Sequence, residues 1–196
     1  MANRIAGGRA NDEDGHARVH QLIEQFERSN SELISFVERC PAAEWQATGH
    51  HRVEGQPFPL AWSEKLFCAH ESWSVGLAMH HVAEDEALIL DWVQLLAAGQ
   101  PHRMILRLID EIQAQHADQH ARAAAPISSE TVASLLRRSG AEVVSVLRGL
   151  SDEELKTTAP HPVWETESVS GEDIVEHLLI GHIDLHRNAI RDALHI

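Results

Sequence analysis

The sequence predicts an all-α fold, a helical bundle of about four main helices joined by long crossovers, and three observations carry that expectation. Apolar residues recur at helical spacing over several long stretches, and Gly and Pro fall where those stretches end. Tyr is absent, and Phe and Trp together make only 5% of the chain, so the aromatic residues that strands favour are scarce. With 196 residues, 43% hydrophobic and 23% charged, the chain is long enough to bury a core and suits one domain.

Residues 1–14 are polar and glycine-containing and read as a flexible N-terminal arm, leaving residues 15–196 as the domain. From His16 to Cys40, Val19, Leu22, Ile23, Phe26, Leu33, Phe36 and Val37 follow a helical period, and Pro41 stops it. The stretch from Ala42 to Ser72 carries Gly49, Gly55, Pro57 and Pro59 without a sustained period, so it is expected to be a long irregular connection with room for a short helical turn. Trp73 to Ala98 is strongly periodic and ends at Gly99 and Pro101. A further helical stretch runs from Arg103 towards Ala124, and Ser128 or Ser129 caps a long helix expected to reach Leu150. Ser151-Asp-Glu-Glu starts one more turn, followed by a connection through Pro160 and Pro162. Ser170 with Asp173 resembles a capping box, and Ile174 to Leu194 makes the last helix.

Thirty acidic residues against sixteen basic ones give a net charge of -14, a surface that repels phosphate backbones, so nucleic acid is not an expected partner. The first fifteen residues contain no apolar stretch, and the longest apolar run, Leu88 to Ala98, is interrupted by Asp91 and Gln94. Neither a secretory signal nor a membrane span is expected, and a soluble cytoplasmic protein follows. Cys40 and Cys68 have no metal-ligand spacing and read as reduced packing residues.

Fifteen histidines are far more than such a chain usually carries, and their directions sort them. At about 100° per residue, His81 lies roughly 45° from the apolar direction of its helix and His80 roughly 145° from it. In the last helix His182 and His186 lie roughly 30° and 10° from the apolar direction, whereas His177 is roughly 170° away. His81, His182 and His186 are therefore expected inside, and His80 and His177 in solvent. His182 and His186 are spaced i, i+4, so their rings stand one above the other and can share a metal. That spacing alone is a weak signal, because His116 and His120 share it and read as mouth or surface residues.

A single inward histidine is usually a core residue bonded to a carbonyl or hydroxyl. Three of them on two helices would leave several polar nitrogens to satisfy, whereas three neutral ligands on one divalent ion satisfy them together. Asp85 falls one turn beyond His81 and almost on the core axis, which makes it the candidate general base or orienting carboxylate, with an arginine partner from a neighbouring helix as the structural alternative. Glu84 is a lesser candidate. Arg187 points away from the apolar centre and reads as a solvated or interface charge. Trp62, Trp73 and Trp92 could wall a pocket, although bulky residues at this spacing are more often core.

Three segments carry a resemblance: Trp73–Glu86 (WSVGLAMHHVAEDE), Leu147–Leu155 (LRGLSDEEL) and Ile174–Ile190 (IVEHLLIGHIDLHRNAI). In this order they resemble the DinB-like superfamily of metal-binding four-helix-bundle proteins, which includes bacillithiol S-transferases and mycothiol-dependent maleylpyruvate isomerases. The resemblance implies a four-helix bundle with long crossover loops, and metal ligands at His81, His182 and His186. The segment between Trp45 and Trp73, with His50, His51 and His70, is longer than the usual connection of that family. The expected function is a metal-dependent transferase or isomerase that takes a low-molecular-weight thiol and a small-molecule electrophile, with zinc or nickel as the metal, or else iron. A metal-dependent hydrolase is the alternative, since the same cation would lower the pKa of water. A non-catalytic metal-binding or stress-associated bundle, or a homodimer held through apolar helix faces, completes the set.

Overall fold

The structure, a computed structural model, describes residues 15–48, 73–103, 127–160 and 168–194. The expected N-terminal arm, the helical stretch after Arg103, most of the 46–72 connection, Cys68, Trp62 and the histidines His50, His51, His70, His116 and His120 lie outside the described residues. What is described is mostly helical, in keeping with the all-α expectation.

Helix α1 spans Ala17–Arg39 and buries Val19, Leu22, Ile23, Phe26, Leu33, Phe36 and Val37, the stripe that its period marks out. Its first amides are satisfied from another part of the chain: the Asp152 carboxylate accepts from Arg18 N at 3.1 Å and from Val19 N at 3.0 Å. A single turn, α2, follows at Ala42–Trp45, and the Trp45 indole donates to the Ile127 carbonyl at 2.6 Å.

Helix α3 spans Val75–Ala97. Ser74 caps it by accepting from Leu77 N at 3.1 Å. At the other end Gly99 takes a left-handed φ of 69°, Gly99 N bonds to Leu96 O at 2.9 Å and Gln100 N to Leu95 O at 2.8 Å. That pair of bonds is the Schellman stop, and glycine is the residue for which it carries no steric cost. Helix α4 spans Ser129–Leu147 with Ser128 as its cap, and it stops short of Leu150 because the chain turns at Arg148–Leu150. Helix α5, Asp152–Leu155, is one turn held by a capping box between Ser151 and Glu154.

The proline-containing connection holds a feature that periodicity does not reveal: β1 (Thr158–Ala159) pairs antiparallel with β2 (Val169–Ser170), Thr158 opposite Ser170 and Ala159 opposite Val169. The Ser170–Asp173 capping box then starts α6, Gly171–Asp173. The expectation of one regular α-helix from Ile174 is corrected here. Ile174–Ile180 is a π-helical segment, and only from Gly181 does the regular helix α7 run, to Leu194. A π turn closes i→i+5 bonds and is wider, so residues after it are rotated relative to an α-helical extrapolation from residues before it.

Helix α3 lies against α4 and the terminal rod of π segment and α7, and α1 lies against the same two neighbours. Among the described residues these four rods enclose one core that includes Trp73, Met79, Ile89, Trp92, Leu33, Leu136 and Ile183. Each large side chain removed from water in this way contributes roughly 1.5–3 kcal/mol, which is why the apolar stripes decide the packing. No helix among the described residues is long and apolar enough to cross a membrane.

Candidate metal centre

Two of the four rods supply the histidines. His81 sits in the second turn of α3, and His182 and His186 occupy successive turns of α7. All three are buried, at 1%, 3% and 0% exposure. Their ring centroids are 5.1 Å apart for His81 and His182, 5.5 Å for His81 and His186 and 4.5 Å for His182 and His186, with near-perpendicular planes. One nitrogen of each ring lies within 4.8 Å of the others, so the three imidazoles lie close enough together to hold a metal ion. The donors suit one chemically: neutral imidazoles are ligands for zinc, nickel, iron and copper, and the donor set does not choose among them. The Trp73 indole closes one side, edge-on to His81 with centroids 5.2 Å apart.

Asp85 is buried at 3% exposure, and its Oδ2 lies 3.2 Å from His81 Nε2 and 3.8 Å from His182 Nε2. The carboxylate thus stands beside two of the three imidazoles, on the inner side of α3 as its direction implies, while the ligand atoms that lie within 4.8 Å of one another are those of the three histidines. Glu84 is half-buried on the flank of α3, where its Oε2 lies 3.3 Å from His80 Nδ1. The His80 side chain keeps only 14% exposure, so the expectation of a fully solvated His80 is corrected: the Glu84 pairing holds the ring against the helix surface. His177 is exposed, as expected.

Arg187, expected as a solvated or interface charge, is not solvated but lies at the contact of α7 with α1. It is buried at 8% exposure, its Nη1 bonds to Glu32 at 2.6 Å and its Nη2 lies 3.1 Å from Asp184. Averaging apolar directions locates one buried face, whereas α7 is wedged between α1 and α3 and has two. Arg187 shares a flank with Ile183 and Ile190, both fully buried, and meets Glu32 of α1 there. A cleft of about 760 Å³ opens beside this pair, lined by Ser35, Phe36, Cys40, Arg187 and Arg191 among others, and the three histidines do not line it. Cys40 is half-buried and free there, and burial pushes its thiol up.

Sequence reasoning missed Glu86 altogether. It is 1% exposed, accepts a short hydrogen bond from the Ser139 hydroxyl of α4, and burial raises its pKa to about 8 against the smaller opposing effect of that bond. A signal existed: Glu86 is one turn from both Val82 and Ile89, each almost wholly buried. Trp73 and Trp92 are core residues.

The chain matches no protein-family profile, no curated protein and no solved structure.

Proposed function

We propose that this chain is a metal-dependent enzyme with the four-helix bundle of the DinB-like type, a transferase or isomerase that brings a low-molecular-weight thiol and a small electrophile to a divalent ion. The observation that carries the reading is the convergence of three buried imidazoles from two helices, with their ligand nitrogens within 4.8 Å of one another. His81, His182 and His186 would hold the ion, and Asp85 supplies negative charge that a dication in an apolar core needs. With a divalent ion bound there, the site would supply Lewis-acid chemistry, lowering the pKa of a thiol or a water brought beside it. The three contributions of the protein itself are to present neutral ring nitrogens, to fix them on rigid helices and to exclude bulk water with Trp73 and the surrounding core.

Metal analysis of protein purified without an affinity tag tests the site. About one divalent ion per chain is expected in the wild type, with loss to background in the His81→Ala, His182→Ala double variant. Equal metal in both would remove the centre. Metal-loaded protein incubated with an electrophile should then turn over only when bacillithiol, mycothiol or glutathione is added. Turnover that ignores added thiol favours the hydrolase, and none under either condition favours a non-catalytic metal-binding protein.

A further inference from the structure

Asp85 stands beside two imidazoles, not one. A carboxylate that only steadies a metal-binding histidine bonds to the ring nitrogen turned away from the ion. Asp85 Oδ2 instead lies 3.2 Å from His81 Nε2 and 3.8 Å from His182 Nε2, two nitrogens on rings that belong to different helices. An oxygen beside two rings of the three-histidine group is placed to reach an ion that those rings share.

Ligand atoms about 2.0–2.2 Å from a common ion at tetrahedral angles are themselves about 3.3 Å apart. The first contact already has that spacing and the second exceeds it, so the carboxylate joins the group formed by the three histidines by moving towards the ion. Electrostatics point the same way. Three neutral imidazoles leave both charges of a dication uncompensated inside a core where water is excluded, and one carboxylate halves that charge. Position 85 supplies it without any change of backbone, because i, i+4 spacing on α3 sets Asp85 directly over His81.

We infer that Asp85 is a fourth protein ligand of the ion held by His81, His182 and His186, and this rests on the three-histidine reading proposed above. In this role Asp85 is not the proton acceptor that its position in the sequence suggests. Four protein ligands complete the shell of a tetrahedral ion, so a position for substrate requires a metal that takes five or six ligands. Nickel and iron fit that requirement better than four-coordinate zinc.

The test uses Co(II) as a coloured probe on the full chain, with wild type, Asp85→Asn, Asp85→Ala and His182→Ala compared for affinity by chelator competition and for visible ligand-field bands. Loss of an orienting partner costs about 10–100-fold in affinity, so Asp85→Ala is expected to exceed about 100-fold and to shift the bands. Asp85→Asn keeps the shape of the side chain and should also shift them. Bands unchanged in both Asp85 variants would overturn the assignment while leaving the histidine site intact. Failure of the wild type to take up Co(II) would instead remove the three-histidine reading itself. Should the variants not fold, a crystal structure of the Co(II)-loaded wild type decides: Oδ2 within about 2.2 Å of the ion supports the assignment, and beyond about 3 Å overturns it.

Discussion

Asp85 and Glu86 are neighbours on α3, both almost wholly buried, and they meet opposite surroundings. Asp85 faces the terminal rod and lies between the imidazoles of His81 and His182. Glu86, turned by one residue, faces α4 and meets the hydroxyl of Ser139, while its Oε1 has no hydrogen-bond partner among the described residues. Burial therefore acts on the second acid with little opposition and raises its pKa to about 8. The difference teaches that burial alone does not give a carboxylate a function. What matters is whether the facing helix offers several convergent donors or a single hydroxyl.

The largest effect expected from this contrast is a pH dependence that belongs to Glu86. Its folded pKa of about 8 lies above the value of about 4.3 that an unfolded chain gives. Between those values the unfolded state has released the proton and the folded state keeps it, so the contribution of Glu86 to folding stability is full below about pH 4.3 and declines as pH rises towards 8. The decline can reach about 1.4 kcal/mol per pH unit. Glu86→Gln should abolish that component, seen as a difference between wild-type and variant denaturation curves across the same pH series. Parallel curves would show that Glu86 does not hold its proton in the folded state.

Added metal should act on the other side of the comparison. An ion that binds only the folded chain stabilises it by about 2.7 kcal/mol at a hundredfold excess over its Kd. Thermal melts should show this stabilisation in the wild type and in Glu86→Gln and lose it in His182→Ala. A metal effect that disappears in Glu86→Gln would mean that the two acids form one site.

Smaller again is the expected effect at Arg187, the third buried charge. Arg187→Met removes the ion pairs with Glu32 and Asp184, whose side chains are 54% and 39% exposed and return to water. That exposure discounts the loss to about 1–2 kcal/mol. Because Arg187 touches neither acid cluster in the described contacts, urea unfolding should register the loss while the Glu86 pH component stays unchanged.

Ser170→Ala is the mildest of these changes, costing about 1 kcal/mol through the lost helix cap. It loosens the start of the rod that carries His182 and His186, so hydrogen exchange should quicken over Gly171–Ile180 and leave α4 unaffected. Uniform quickening would indicate that the rod does not open as a local unit.

Much of the fold was legible because its signals are local. The stripe of α1, the serine caps at Ser128, Ser151 and Ser170 and the Gly99 stop all act within a few residues of themselves. The inward directions of His81, His182 and His186 were legible for the same reason, since each depends only on where its own helix is apolar. The burial of Arg187 was not, because it requires knowing that α7 has a neighbour on each flank. Glu86 escaped because α3 is buried round most of its circumference, and a single mean direction describes such a helix poorly. The π segment and the β1–β2 ladder depend on backbone bonding that apolar period does not encode.

By itself, then, the chain determined that it is helical, where most of its helices are capped and stopped, and which histidines turn inward, since periodicity and capping are properties of short stretches. Only the tertiary structure decided that residues about a hundred positions apart bring their ligand nitrogens within 4.8 Å of one another, and that Asp85 and not Glu86 stands beside two of those rings. The physical reason is that the direction of a side chain is set within its own helix, whereas its partners are set by which helices pack against that face.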